Sequence, residues 1–182
     1  SDLPNNLSLA KAQLAHMLSK LRVQLELAEA YRRQITAYEE AKFITGVELT
    51  DEFPCTYLPH RPVVREDKAT AKIRPVFNAS ARIKEGLSLH DCLEVGPTIN
   101  PDLFEVRIRF RLFGVALMAD IEKGLFTDPV NRESQLVRFL WVEDPSDPNS
   151  KLIAYRWLRL SFGLASSPFV LRAVILKHLD LY

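Results

Sequence analysis

Asp120 closes an unbroken apolar run, Val115-Ala-Leu-Met-Ala119, and the chain turns polar within two residues of it. A run of this length without helical spacing predicts a strand buried on both faces. A carboxylate at the end of such a strand rests on a rigid base and faces solvent or substrate. Two-metal phosphoryl transfer needs such a group, because Mg²⁺ is a hard cation that prefers fixed anionic oxygens. The same residue could equally cap a following helix, since Asp is a favoured N-cap. A second candidate is the pair Lys72 and Arg74, flanking Ile73. On an extended strand the two cations share one face and Ile73 takes the other. Such a pair suits a triphosphate or a nucleic-acid backbone, and it also suits an edge strand guarded against aggregation.

The bulk properties frame these candidates. With 182 residues the chain is about one domain, able to bury about 70% of its unfolded surface. It is 47% hydrophobic and 26% charged, with a net charge of +1, so bulk charge makes no case for nucleic acid. The charge is unevenly spread. Between His60 and Lys84 stand Arg61, Arg65, Lys68, Lys72, Arg74, Arg82 and Lys84 against Glu66 and Asp67, giving +5 there and −4 elsewhere. Such a segment is either a solvated face or a phosphate-facing one. Cys55 and Cys92 form neither a metal spacing nor a disulfide framework and read as reduced thiols of an intracellular protein, cytoplasmic or nuclear. No apolar stretch reaches the roughly 18 residues that span a bilayer, so no membrane role is expected. The abrupt start and stop suggest an excised fragment.

The elements that would position these residues follow in order. Residues 1–48 read as helix, capped by Asn6 or Ser8, with Leu14, Leu18, Leu21 and Leu25 on one stripe and Leu27, Tyr31, Ile35 and Tyr38 on another. One long helix or two packed ones both fit. From Asp51 the prolines at 54, 59 and 62 exclude helix interiors. Residues 56–58 and 62–65 read as strand, 66–69 as a turn, and 72–77 as a second strand whose Pro75 favours an edge. Residues 80–98 read as loop. Asn100-Pro-Asp102 reads as a helix start with Asn100 as cap, the helix running to about Leu112. Arg107, Arg109 and Arg111 alternate within it as in a strand. Strands are expected at 136–142 and 152–160 around a turn at 144–149. A glycine-bearing turn at 161–169 then opens a last helix, capped by Ser166 or Ser167, with a buried face of Phe169, Val170, Ala173, Leu176 and Leu179.

The ordered set of stretches resembles the reverse transcriptase of BEL/Pao-class LTR retrotransposons. Those stretches are Tyr57-Leu-Pro-His-Arg-Pro-Val-Val-Arg65, Lys72-Ile-Arg-Pro-Val-Phe-Asn-Ala-Ser80, Ser88-Leu-His-Asp91 and Val95-Gly-Pro-Thr98 in the first half. Arg109-Phe-Arg-Leu112, Ala119-Asp-Ile-Glu-Lys123, Arg138-Phe-Leu-Trp141 and Ser161-Phe-Gly-Leu-Ala-Ser-Ser-Pro168 follow in the second. The resemblance implies an α/β (α+β) chain: a helical N-terminal segment at 1–50, polymerase fingers as a hairpin and loop at 51–98, and a partial palm sheet with helices at 99–182. It implies that Lys72 and Arg74 hold the incoming triphosphate. Asp120 would be the catalytic metal ligand, with the Ile121 carbonyl assisting, Leu125 at the floor of the nucleotide pocket, and Phe162 and Gly163 lining it.

Departures from the family pattern bear on activity. No Asp-Asp pair occurs in the sequence, and one carboxylate cannot hold two Mg²⁺ ions against their hydration. Leu125 stands where an aromatic is usual, with Phe126 one residue on; Thr127-Asp128 replaces a Gln-apolar pair, and Asn78 and His90 stand where Asp and Asn are commoner. Two functions are therefore expected. One is a retrotransposon-derived, domesticated remnant that binds protein or RNA without chemistry of its own. The other is part of an active RNA-directed DNA polymerase whose remaining palm, thumb and RNase H lie downstream, and only there would Mg²⁺ be a cofactor. Expected partners are an RNA or DNA template–primer, or a protein or second copy meeting the incomplete palm.

Overall fold

The computed structural model describes residues 3, 5–49, 55–64, 73–84, 86–119, 121, 124 and 136–181. Two helices open the chain, α1 (Leu7–Leu21) and α2 (Leu25–Glu40). The chain breaks between them at 22–24, so Leu14, Leu18 and Leu21 are buried while Leu25 is exposed, contrary to the single stripe expected. Asn6 does precede α1, but its amide is used elsewhere: Nδ2 donates to the Tyr57 carbonyl at 2.8 Å and Oδ1 accepts from the Tyr57 N–H at 2.6 Å. A side-chain amide that copies a strand neighbour in this way fixes the helix start against the sheet.

Helix was expected to residue 48, yet α2 ends at Glu40. Lys42 takes the left-handed backbone (φ 57°), which closes the helix, and β1 (Ile44–Val47) follows. β1 pairs antiparallel with β6 (Leu152–Trp157), β6 with β5 (Val137–Val142), and β5 in parallel with β2 (Thr56–Tyr57), giving the order β1-β6-β5-β2. The sheet thus takes strands from both ends of the chain. Phe139, Leu140, Trp141 and Val142 are buried in succession, which places β5 in the interior with cover on both faces. α2 covers one face: Tyr31 meets Trp141 edge-on at 5.2 Å between ring centroids, and Tyr38 lies 6.3 Å from Trp157. The edge-to-face contact of Tyr31 with Trp141 adds about 0.5–1.5 kcal/mol to the burial term.

The second sheet is the hairpin of β3 (His60–Val64) and β4 (Ile73–Phe77), at the expected place. Pro62 and Pro75 are register partners. The Asn78 N–H donates to the Pro59 carbonyl, so the backbone groups of Asn78 point across the ladder and those of Phe77 and Pro75 point away from it. Both prolines therefore place their missing N–H on the outer edges of the hairpin, where no ladder bond is lost and strand addition is discouraged.

The remaining elements are α3 (Leu89–Cys92), α4 (Leu103–Leu112) and α5 (Ser167–Leu179). α3 lies inside the stretch expected to be loop. α4 is capped by Asp102 rather than Asn100, the Asp102 carboxylate accepting from the Phe104 and Glu105 N–H groups. α4 buries none of its residues, and its alternating pattern spreads apolar and cationic side chains around the whole helix. The expected doubly buried strand at 115–119 is absent: these residues form neither strand nor helix, and Leu117 and Met118 are each 91% exposed. An apolar run specifies burial only where another element lies over it, and no described element covers this one. α5 begins as expected at Ser166 and Pro168, but Phe169, Val170, Ala173 and Leu176 are only half-buried and Leu179 is exposed. β6 stops at Trp157, short of residue 160. Among the described residues no helix is long and apolar enough to cross a membrane.

Candidate functional site

The site grows from β4. The burial of its side chains alternates, Pro75 and Phe77 inward and Arg74 and Val76 outward. Register pairs Val63 with Arg74 and Arg61 with Val76, so Arg61 and Arg74 occupy diagonal positions on the outward face. Neither guanidinium enters an ion pair among the described residues. The Arg74 cation acts on the Tyr38 hydroxyl, which burial pushes up and Arg74 draws back down. Two guanidinium groups on one face of a hairpin, without ion-pair partners among the described residues, can take an anion through forked donors.

Phe77, three residues from Arg74 and so about 10 Å along the strand, carries the second feature. Its outward-pointing carbonyl meets the turn before α5. Gly163 has φ +85°, and a Cβ there would lie 2.7 Å from the Phe77 oxygen. Only glycine satisfies both conditions. α3 locks the same corner: His90 and the Gly163 carbonyl are joined at 2.8 Å through Nε2, and Ser80 Oγ is 3.0 Å from Nδ1 of the same ring. The carbonyl can only accept, so Nε2 donates to it. Ser88 and Asp91 cap α3 reciprocally, and Arg82 closes on Asp91 at 2.9 Å. Those bonds, chiefly to Ser88, hold the Asp91 carboxyl below the usual carboxylate range. The loop at 95–98 comes to the start of α5 as well, because Gly96 (φ +82°) leaves room only for the Phe169 ring.

Gly163, with Phe162 beside it in sequence, is therefore held at the Phe77 end of β4, about 10 Å along the strand from Arg74. Ile121 is 56% exposed, and its Cγ2, like Leu171 Cδ1 of α5, lies 3.4 Å from where a Cβ on Gly124 would stand, beyond the glycine turn. Asp120, Lys72 and Leu125 lie outside the described residues, as do Phe126, Thr127 and Asp128. Among the described residues no three His, Cys, Asp or Glu side chains gather into a group that could hold a metal ion.

Two features escaped the sequence reading. The Ser88–Asp91 spacing carries a capping-box signal, serine followed three residues later by an acid, that predicts α3. His60, counted only as the border of a basic stretch, is a half-buried residue packed against the core. Its Nε2 meets the Leu140 carbonyl at 2.7 Å and its Nδ1 the Tyr31 hydroxyl at 2.6 Å, among the rings of Phe77, Phe139 and Trp141. Burial lowers its pKa to about 4, against the Leu140 hydrogen bond, which favours the charged form.

No protein-family model matches the chain, and no curated protein matches it significantly.

Proposed function

We propose that the chain is the fingers and first part of the palm of a BEL/Pao-like reverse transcriptase, acting by itself as a module that binds a template–primer or a protein rather than as a polymerase. The observation that carries this reading is the seating of Gly163 on the Phe77 carbonyl, which joins the basic strand to the glycine turn across 86 positions of sequence. In that arrangement Lys72 and Arg74 contact phosphates, and Phe162 with Gly163 offers a surface on which a base or sugar can approach the backbone closely. Asp120 supplies one carboxylate toward Mg²⁺ where further palm carboxylates are present; the ion would screen charge on the transferred phosphoryl group. The exposed apolar residues between Leu103 and Met118, among them Phe104, Phe113, Leu117 and Met118, support a covering partner or second copy, since exposed apolar surface marks interaction sites.

Primer extension with Mg²⁺ or Mn²⁺ tests the absence of catalysis. The 182-residue chain is expected to incorporate no nucleotide. Incorporation that vanishes in Asp120→Asn would overturn this and show that a complete site forms, for instance across a dimer.

A further inference from the structure

A groove of about 980 Å³ runs between α1 and the β3–β4 hairpin, and it shares Phe77 with the seat of the glycine turn. Its apolar lining includes Met17 and Leu21 of α1 with Val76 and Phe77 of β4, and Lys20 and Arg61 line it from opposite walls. None of the described residues lining it is an aspartate or glutamate, and neither Lys20 nor Arg61 forms an ion pair among the described residues. The chain as a whole has nearly as many acids as bases, so this groove has a sign that the molecule lacks.

We infer that this groove binds an acidic–apolar peptide in extended form, with aliphatic side chains on the apolar lining and carboxylates between Lys20 and Arg61. Length and chemistry both favour a peptide. From Ala12 to Leu21 the α1 wall is about 14 Å long, the span of about four extended residues. The volume stands at the upper end of ligand-sized pockets, about 300–1,000 Å³. A nucleic-acid strand would meet cations at two points only, over a lining suited to aliphatic groups rather than to stacked bases. Addition to the hairpin as a further strand is disfavoured by Pro62 and Pro75 on its outer edges, so side-chain pockets rather than ladder bonds hold the peptide. The groove would act in this way whether or not the chain descends from a polymerase.

The test uses a fluorescein-labelled hexapeptide alternating Glu and Leu, a Lys–Leu counterpart, and a fluorescein-labelled oligo-dT, titrated with the full chain by fluorescence anisotropy. The Glu–Leu peptide is expected to bind, with the Lys–Leu peptide at least about tenfold weaker, because like charges across an interface are rejected. The double variant Lys20→Glu/Arg61→Glu should reverse that preference, and Ala12→Trp, which fills the groove from its exposed rim, should abolish binding of both peptides. Amide-proton shifts in ¹⁵N spectra locate the site and verify that each variant remains folded. Equal affinity for the two peptides, an unchanged preference in the double variant, shift changes elsewhere on the surface, or groove occupancy by oligo-dT alone would overturn the inference.

Discussion

His60 makes stability depend on pH in a window that the perturbed carboxyl groups leave clear. Its Nε2–H donates to the Leu140 carbonyl, so Nδ1 carries no proton and accepts from Tyr31. The native state therefore holds the ring neutral down to about pH 4, whereas the unfolded chain takes up a proton near 6.5. The unfolded state binds more protons between these values, so stability is fully present above about 6.5 and is lost as pH falls toward about 4. One pKa unit corresponds to about 1.36 kcal/mol, so the step from about pH 7 to pH 4.5 costs about 2.4 kcal/mol. The carboxyl groups of Glu29, Asp91 and Asp144 are lowered from 4.5 or 3.8, so their contributions are lost only at lower pH. Urea titrations read by tryptophan fluorescence suit the measurement, since Trp141 lies beside His60. With a urea slope of about 2 kcal/mol/M, the midpoint should fall by about 1 M across the window. His60→Gln should be less stable at neutral pH and nearly flat below it. A wild-type midpoint that stays constant from about pH 7 to 4.5, or a variant with the same slope, would refute the neutral imidazole.

Three further outcomes are expected. Gly163→Ala meets both a positive φ and the Phe77 carbonyl, so it should cost about 2 kcal/mol or more, while Gly46→Ala, with nothing within 4 Å of its Cβ, should be close to neutral in the same urea assay. Tyr31→Phe leaves His60 Nδ1 without its donor and should cost about 1–3 kcal/mol; a thermal melt matching wild type would contradict the pairing. Sedimentation velocity should find concentration-dependent association that Leu117→Asp/Met118→Lys weakens, and a clean monomer with no partner recovered from cells would count against an interface at 103–118.

Local signals in the sequence carried much of the fold. Period-3.6 stripes, proline positions and the glycine turn marked the first two helices, the hairpin, the β5–β6 pair and the start of α5, because each is set by neighbours a few residues away. Residues 115–119 show the opposite case: their apolar run records a need for cover, and whether cover exists depends on elements remote in sequence. β1 was hidden for the same reason, since Ile44–Val47 becomes a strand only by lying against β6, more than a hundred residues later. The role of His60 was equally illegible, as a neutral imidazole between Tyr31 and Leu140 leaves no mark on residue spacing. At the candidate site, Arg74 and Gly163 were legible as residue types, but that Arg61 shares a face with Arg74 emerged only from register.

Binding of a primer–template across a salt series tests the central proposal most directly. If Lys72 and Arg74 face a phosphate backbone, log affinity should fall linearly with log salt. Lys72→Ala/Arg74→Ala should then lower that slope by about 2, roughly 0.9 for each duplex phosphate no longer neutralised. Affinity and slope unchanged in the double variant would contradict the account and leave the two cations as guards of an edge strand.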